Sequence, residues 1–146
     1  MGAENSFQGP ALASRSDLPD VTAPDGSGIR LLIDRRHQAS AASMVEVTLP
    51  AGQVSRPVLH QRVEEVWYVL RGQGEVWRCP PNADPALYAA VAVKPGDSLV
   101  IPPRWRFQFS ASDAEELRFL CFTVPPWPGD DEAKSIELGG LGPPPV

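Results

Sequence analysis

A chain of 146 residues is long enough for one domain with a real hydrophobic core, and its 17 Pro and 12 Gly argue for short strands joined by tight turns. The net charge of −5, with Arg scattered along the chain, removes any general attraction to nucleic acid or to an anionic membrane surface. No apolar stretch approaches membrane-span length and the N-terminus lacks the apolar core of a signal peptide, so a soluble cytoplasmic protein is expected.

In chain order, residues 1–27 are rich in Ser, Pro, Gly, Ala and Asp without apolar periodicity and predict a flexible N-terminal arm. Its first residues, Met1 to Ser6, fit the bare N-myristoylation pattern, although Glu4 offers no basic second anchor. Strands are predicted at 30–34 and at 43–49, the latter with Glu46 and Thr48 on the wet face. After a turn at 50–52, a strand carries Val58 and His60, and the β-branched and aromatic run 65–71 forms the next. Turns at 72–74, 80–85, 95–97 and 112–116 separate further strands at 75–79, 87–93, 98–101, 105–110 and 116–124. Cys79 and Cys121 fall inside these strands and read as buried free thiols of a reducing compartment. The segment 127–146 is an extended Pro/Gly-rich tail, with Trp127 expected on the barrel exterior or on a partner subunit and 139–146 expected to be disordered. Many short strands at such spacing suit a sandwich or barrel with no long helix between 28 and 126.

Two stretches carry a more specific signal. The first runs from Gly52 through Val58, His60 and Glu65 to Gly72; the second from Gly96 through Pro102 and Trp105 to Phe109. Their spacing resembles the two signature motifs of the cupin family: Gly, five residues, His, one residue, His, three or four residues, Glu, six residues, Gly; then Gly, five residues, Pro, two residues, His, three residues, Asn. Gly52, His60, Glu65 and Gly72 match the first, and Gly96 and Pro102 the second. Val58 stands in place of the first His, Trp105 in place of the second motif's His, and Phe109 in place of its Asn. The resemblance, covering about residues 28–126, implies an all-β fold, a single-domain double-stranded β-helix or jelly-roll cupin barrel. In the family the three His and the Glu hold a divalent metal inside it, and the fold alone selects no activity.

The chain has only His37 and His60, so no intramolecular three-His site exists. His60 and Glu65 alone would hold iron, manganese or zinc weakly, because such ions take about three or four protein ligands. No metal cofactor is therefore expected. His37 beside Arg35 and Arg36 reads as an exposed loop residue, and His37, Cys121 and Gln108 are the places to look for further ligands should a metal bind.

Alternation along the strands puts Trp67 and Val69 on the same face as Glu65, Val58 with His60, and Trp105 with Phe107 and Phe109. If Glu65 faces inward, as the resemblance implies, the interior is an aromatic box around one imidazole and one carboxylate, with Trp105 closing over them and Cys121 at its wall. A buried carboxylate must be paired, protonated or wet, and His60 is its natural partner. Ser98 and Ser110 lack the elbow of hydrolases, and Gly72-Gln73-Gly74 reads as a hairpin turn. Arg62 and Arg104 flank the two motif turns and read as surface or barrel-mouth residues. The reading is a small cytoplasmic cupin that binds a small molecule, with or without catalysis, its metal site degenerate. The alternatives are a metal-independent isomerase, epimerase or cyclase using His60 and Glu65 for proton transfer, a metal-dependent oxygenase or isomerase with an incomplete ligand set, and a structural dimerisation barrel. A homodimer is expected.

Overall fold

A computed structural model describes residues 9–143; the myristoylation pattern lies outside them. The strands are β1 (Val21–Thr22), β2 (Gly28–Ile33), β3 (Ser43–Leu49), β4 (Val58–His60), β5 (Glu64–Arg71), β6 (Gly74–Cys79), β7 (Val91–Val93), β8 (Ser98–Ile101), β9 (Arg106–Ala111), β10 (Leu117–Val124) and β11 (Ala133–Ser135). One sheet has the order β1-β2-β3-β10-β5-β8 and the other β11-β4-β9-β6-β7, with every pairing antiparallel. The helical elements among the described residues are single turns, Arg35–His37 and Pro85–Leu87, and no helix is long and apolar enough to cross a membrane. The expected double-stranded β-helix is therefore the observed fold. Each motif passes from one sheet to the other: β4 lies beside β9, and β5 beside β8.

Strand periodicity decides what faces inward. In β5, Glu65, Trp67 and Val69 are buried, while Glu64, Val66, Tyr68 and Leu70 are exposed. Trp67 stacks on Phe119 with centroids 4.0 Å apart and meets Phe107 and Phe109 edge-on at 5.9 and 5.2 Å. Deleting a ring this deeply packed costs about 3–5 kcal/mol. Gly72 shows why the first motif must end in glycine. Its φ is +80°, and a Cβ there would sit 2.1 Å from the Glu116 carbonyl oxygen.

The barrel takes in more chain than its sequence suggests. Val21–Thr22, expected in the flexible arm, pairs with β2, and Ala133–Ser135, expected in the tail, pairs with β4. Glu46 and Thr48 are buried, not wet. The N-terminal segment covers that face, where Arg15 and Arg30 donate to Glu46 and Arg30 also to Thr48. Of the segment expected to be disordered, residues 139–142 dock on β9: Leu141 N–H donates to Gln108 Oε1 and Gln108 Nε2 to the Gly142 carbonyl. Gly140 lies so close to the Trp77 indole that a Cβ would fall 2.1 Å from its ring.

Candidate functional site

His60 ends β4 in one sheet and Glu65 opens β5 in the other, so the turn at Gln61, Arg62 and Val63 carries the chain across the barrel and turns both side chains inward. That turn is held from outside. The buried Glu132 carboxylate accepts the backbone N–H groups of Arg62 and Val63 at 2.5 and 2.7 Å, with the Arg62 guanidinium at 3.4 Å. Burial pushes the Glu132 carboxyl up, but these donors outweigh it and hold the group below the ordinary glutamate range.

Glu65 Oε1 accepts the Trp67 indole N–H at 2.9 Å, and Glu65 Oε2 lies 3.4 Å from His60 Nδ1. The last contact lacks hydrogen-bond geometry, so His60 Nδ1 is buried without a partner. Burial raises the Glu65 pKa above the ordinary value, opposed by the nearby imidazole and the Trp67 N–H and assisted by the negative charge of Asp25. Burial also pushes the Cys121 thiol well up, and Glu65 reinforces the shift, so Cys121 is a neutral thiol in the wall and not an activated nucleophile. Both cysteines are free and buried.

A cavity of about 340 Å³ opens beside this pair. Val58, His60, Glu65, Trp67, Phe107, Phe109 and Cys121 line it. Trp105 does not. It precedes β9, lies partly buried against the core, and leaves the chamber unplugged. The residue that covers the pair is Trp127, whose ring meets His60 edge-on at 4.9 Å, while Phe107 meets it at 5.1 Å. Trp127 therefore closes the barrel from within its own chain, correcting its assignment to the exterior. Its backbone N–H donates to Ser43 Oγ, and β11 then ties the strap to β4.

Asp25 is a site residue that sequence reasoning missed. The turn before β2 projects it to the cavity wall, where its Oδ1 accepts both the backbone N–H and the hydroxyl of Ser27. Arg56 N–H donates to the Asp25 carbonyl and fixes the turn against the segment leading to β4. Desolvation raises the Asp25 pKa; the Ser27 hydrogen bonds and, more weakly, His60 and Arg56 oppose it. The available signal was Pro24-Asp25-Gly26, a turn tripeptide immediately before a strand.

His37 lies outside the cavity wall. Its Nδ1 accepts the Asp34 N–H at 3.2 Å and caps its own single turn; its side chain is mostly buried, where an exposed one was expected. Gln108 is spent on Ser55, Leu141 and Gly142. Arg62 and Arg104 line a separate outer concavity with Arg106 and Lys134 and are not among the residues of the cavity wall. Among the described residues, no group of three or more His, Cys, Asp and Glu side chains is arranged to hold a metal ion. The donor set at the family's metal position is one imidazole and one carboxylate walled by Val58, Phe107 and Phe109, and it does not fit a divalent transition ion.

The profile of the cupin domain matches residues 45–123, and the chain belongs to the cupin family. An uncharacterized protein of Methanocaldococcus jannaschii, MJ1618, is 30% identical over 108 residues, covering 73% of this chain and 80% of that one. Among solved structures, the polyketide cyclase RemF of Streptomyces resistomycificus superposes with a TM-score of 0.61 at 19% identity, over 92% of this chain and 87% of the cyclase. KdgF from Halomonas sp. superposes at 0.61 and 19% identity, over 80% and 96%. Oxalate decarboxylase from Bacillus subtilis reaches 0.72 at 16% identity, over 90% of this chain but 33% of the decarboxylase. At these identities the likeness is one of fold.

Proposed function

We propose that the protein binds a small organic molecule inside the barrel, with His60 and Glu65 as the polar end of the site. One observation carries this reading: an unplugged cavity of about 340 Å³ with mostly carbon walls is lined by Glu65 and by His60, whose buried Nδ1 has no partner. Pockets of this size and lining are ligand sites by default. A scaffold that needed only a filled core would not keep a carboxylate there at the cost of desolvation. The test is a fragment screen on the ¹⁵N-labelled full chain, following the four indole N–H resonances. Ligands of the barrel are expected to shift Trp67 and Trp127 and to leave Trp77 and Trp105 in place. Shifts confined to Trp77 or Trp105, or none at all, contradict the reading.

A second reading, metal-independent proton transfer, is favoured by the raised Glu65 pKa beside an imidazole. One group would take a proton from the bound molecule and the other return it, an isomerisation or cyclisation that needs no oxidant. The fold likeness to a polyketide cyclase supports this class of chemistry. An oxalate-like substrate is disfavoured, because no Lys or Arg among the described residues lines the cavity to meet a dianion.

For the solution state we propose a homodimer through the outer face of the larger sheet. There Val66 stands exposed between its cross-strand partners Val100 and Phe122 on the two neighbouring strands, with exposed Tyr68 two residues along. Light scattering at micromolar concentration tests it, with a monomer as the contrary result.

A further inference from the structure

The charged residues on the cavity wall are all of one sign. Asp25, Asp34, Glu65 and Asp130 line it, and among the described residues no Lys or Arg does. Asp34 is spoken for, since Arg36 grips both its oxygens from outside. Asp25 and Glu65 are not. The groups facing Glu65 are His60, Trp67, Cys121 and Asp25; those facing Asp25 are Ser27, His60 and the exposed Arg56, whose guanidinium donates to the Pro24 carbonyl. No permanent cation pairs with either carboxylate inside the chamber.

His60, 6% exposed, adds an independent observation. Its Nδ1 and Glu65 Oε2 confront one another at 3.4 Å without a hydrogen bond. In the Nε2–H tautomer both atoms are acceptors, and both are satisfied by one incoming group that donates twice. A hydroxyl has one proton to give, whereas an ammonium has several and brings the missing charge. The surrounding π systems of Trp67, Trp127 and Phe107 attract a cation as well and repel an anion.

We propose that the barrel's ligand is an organic cation, a protonated amine on an aromatic or compact apolar body, which donates to His60 Nδ1 and Glu65 and is neutralised by Glu65 and Asp25. This rests on the barrel being a small-molecule site and names the class of molecule it takes. Burial raises both carboxyl pKa values in the free protein, and a bound ammonium draws them back down. Amine binding therefore strengthens as pH rises through the raised carboxyl pKa values, until the amine itself deprotonates.

Three matched probes on the full chain separate the possibilities: benzylamine, benzyl alcohol and phenylacetate, each titrated while the Trp67 indole N–H is followed. At about pH 8 benzylamine is expected to bind about tenfold more tightly than the alcohol, a margin within the range of one charge–π or ion-pair contact. Phenylacetate is expected not to bind. Asp25→Asn and Glu65→Gln, each checked for a cooperative melt, should bring the ratio of benzylamine to benzyl alcohol affinity down from about tenfold to within about twofold. If the alcohol or the carboxylate binds as well as the amine, the cation assignment is overturned and the small-molecule site stands. If none of the three shifts Trp67 but other fragments do, the cation assignment falls alone. If no fragment of any class shifts it, both fall.

Discussion

Glu46 and Glu132 are buried outside the cavity, Glu65 and Asp25 line it, and the two pairs are treated in opposite ways. Glu46 is met by Arg15 at 2.8 Å, Arg30 at 3.1 Å and Arg118 at 3.7 Å. Glu132 receives two backbone N–H groups and a guanidinium. Glu65 has one indole N–H and an unaligned imidazole, and Asp25 has a serine. The same chain thus supplies cations generously where a carboxylate holds elements together and withholds them inside the barrel. Incomplete pairing on the inside is what the proposed ligand site requires, and full satisfaction was within the chain's means next door.

That contrast can be broken by removing each carboxylate in turn. The largest loss is expected at Glu46→Ala, which strands Arg30, itself 6% exposed, without its carboxylate. Removing one partner of a buried pair costs about 3–5 kcal/mol, and the acceptors left to Arg30 at Ser16, Asp17 and Thr48 keep the loss near the low end, about 3 kcal/mol by chemical denaturation. A loss under about 1 kcal/mol would show that the N-terminal segment does not hold this face.

Glu132→Ala comes next, at about 2 kcal/mol, from the lost charge-assisted hydrogen bonds to the turn between His60 and Glu65. The folded-state pKa of Glu132 lies below its unfolded value, so its contribution is present above the unfolded pKa and is lost as pH falls through the folded one. The stability gap between wild type and the variant should accordingly narrow on acidification. A gap that widened instead would mean that the carboxylate is not the acceptor.

Glu65→Gln is expected to do least to stability, within about 1 kcal/mol, since the amide oxygen still accepts the Trp67 N–H. Here the pH dependence runs the other way. A raised folded-state pKa means that the fold favours the protonated form, so the contribution of Glu65 is present below its unfolded pKa and disappears as pH rises through the folded one. The glutamine variant should overtake wild type on going from about pH 4 to about pH 8 in thermal melts. Parallel pH curves for the two proteins would argue that Glu65 is solvated or paired after all.

The barrel, its two-sheet crossing and most of the cavity wall were legible in the sequence because they follow from period-two alternation and from glycines and prolines at fixed spacing. Glu65, Trp67 and Val69 could be assigned inward together once one of them was. Alternation ends one residue short of Trp105: β9 starts at Arg106, so the period that turns Phe107 and Phe109 inward does not extend into the preceding turn. Trp127, Asp25 and Glu132 were hidden for a different reason. They reach the site through tertiary docking of segments whose composition reads as loop, and Pro-rich extended chain has no periodicity to show which side it presents. Alternation assigns Glu46 and Thr48 to the wet face, but the N-terminal segment, whose composition reads as a flexible arm, covers them.

The most direct test of the contrast is a carboxyl ¹³C NMR titration of the free protein, with Glu65 and Glu132 assigned through Glu65→Gln and Glu132→Gln. Glu65 is expected to titrate above the ordinary glutamate value and Glu132 below it, in a single sample under one set of conditions. Coincident midpoints, or a Glu65 midpoint at or below that of Glu132, would contradict the claim that the barrel leaves its inner carboxylate unpaired for a ligand.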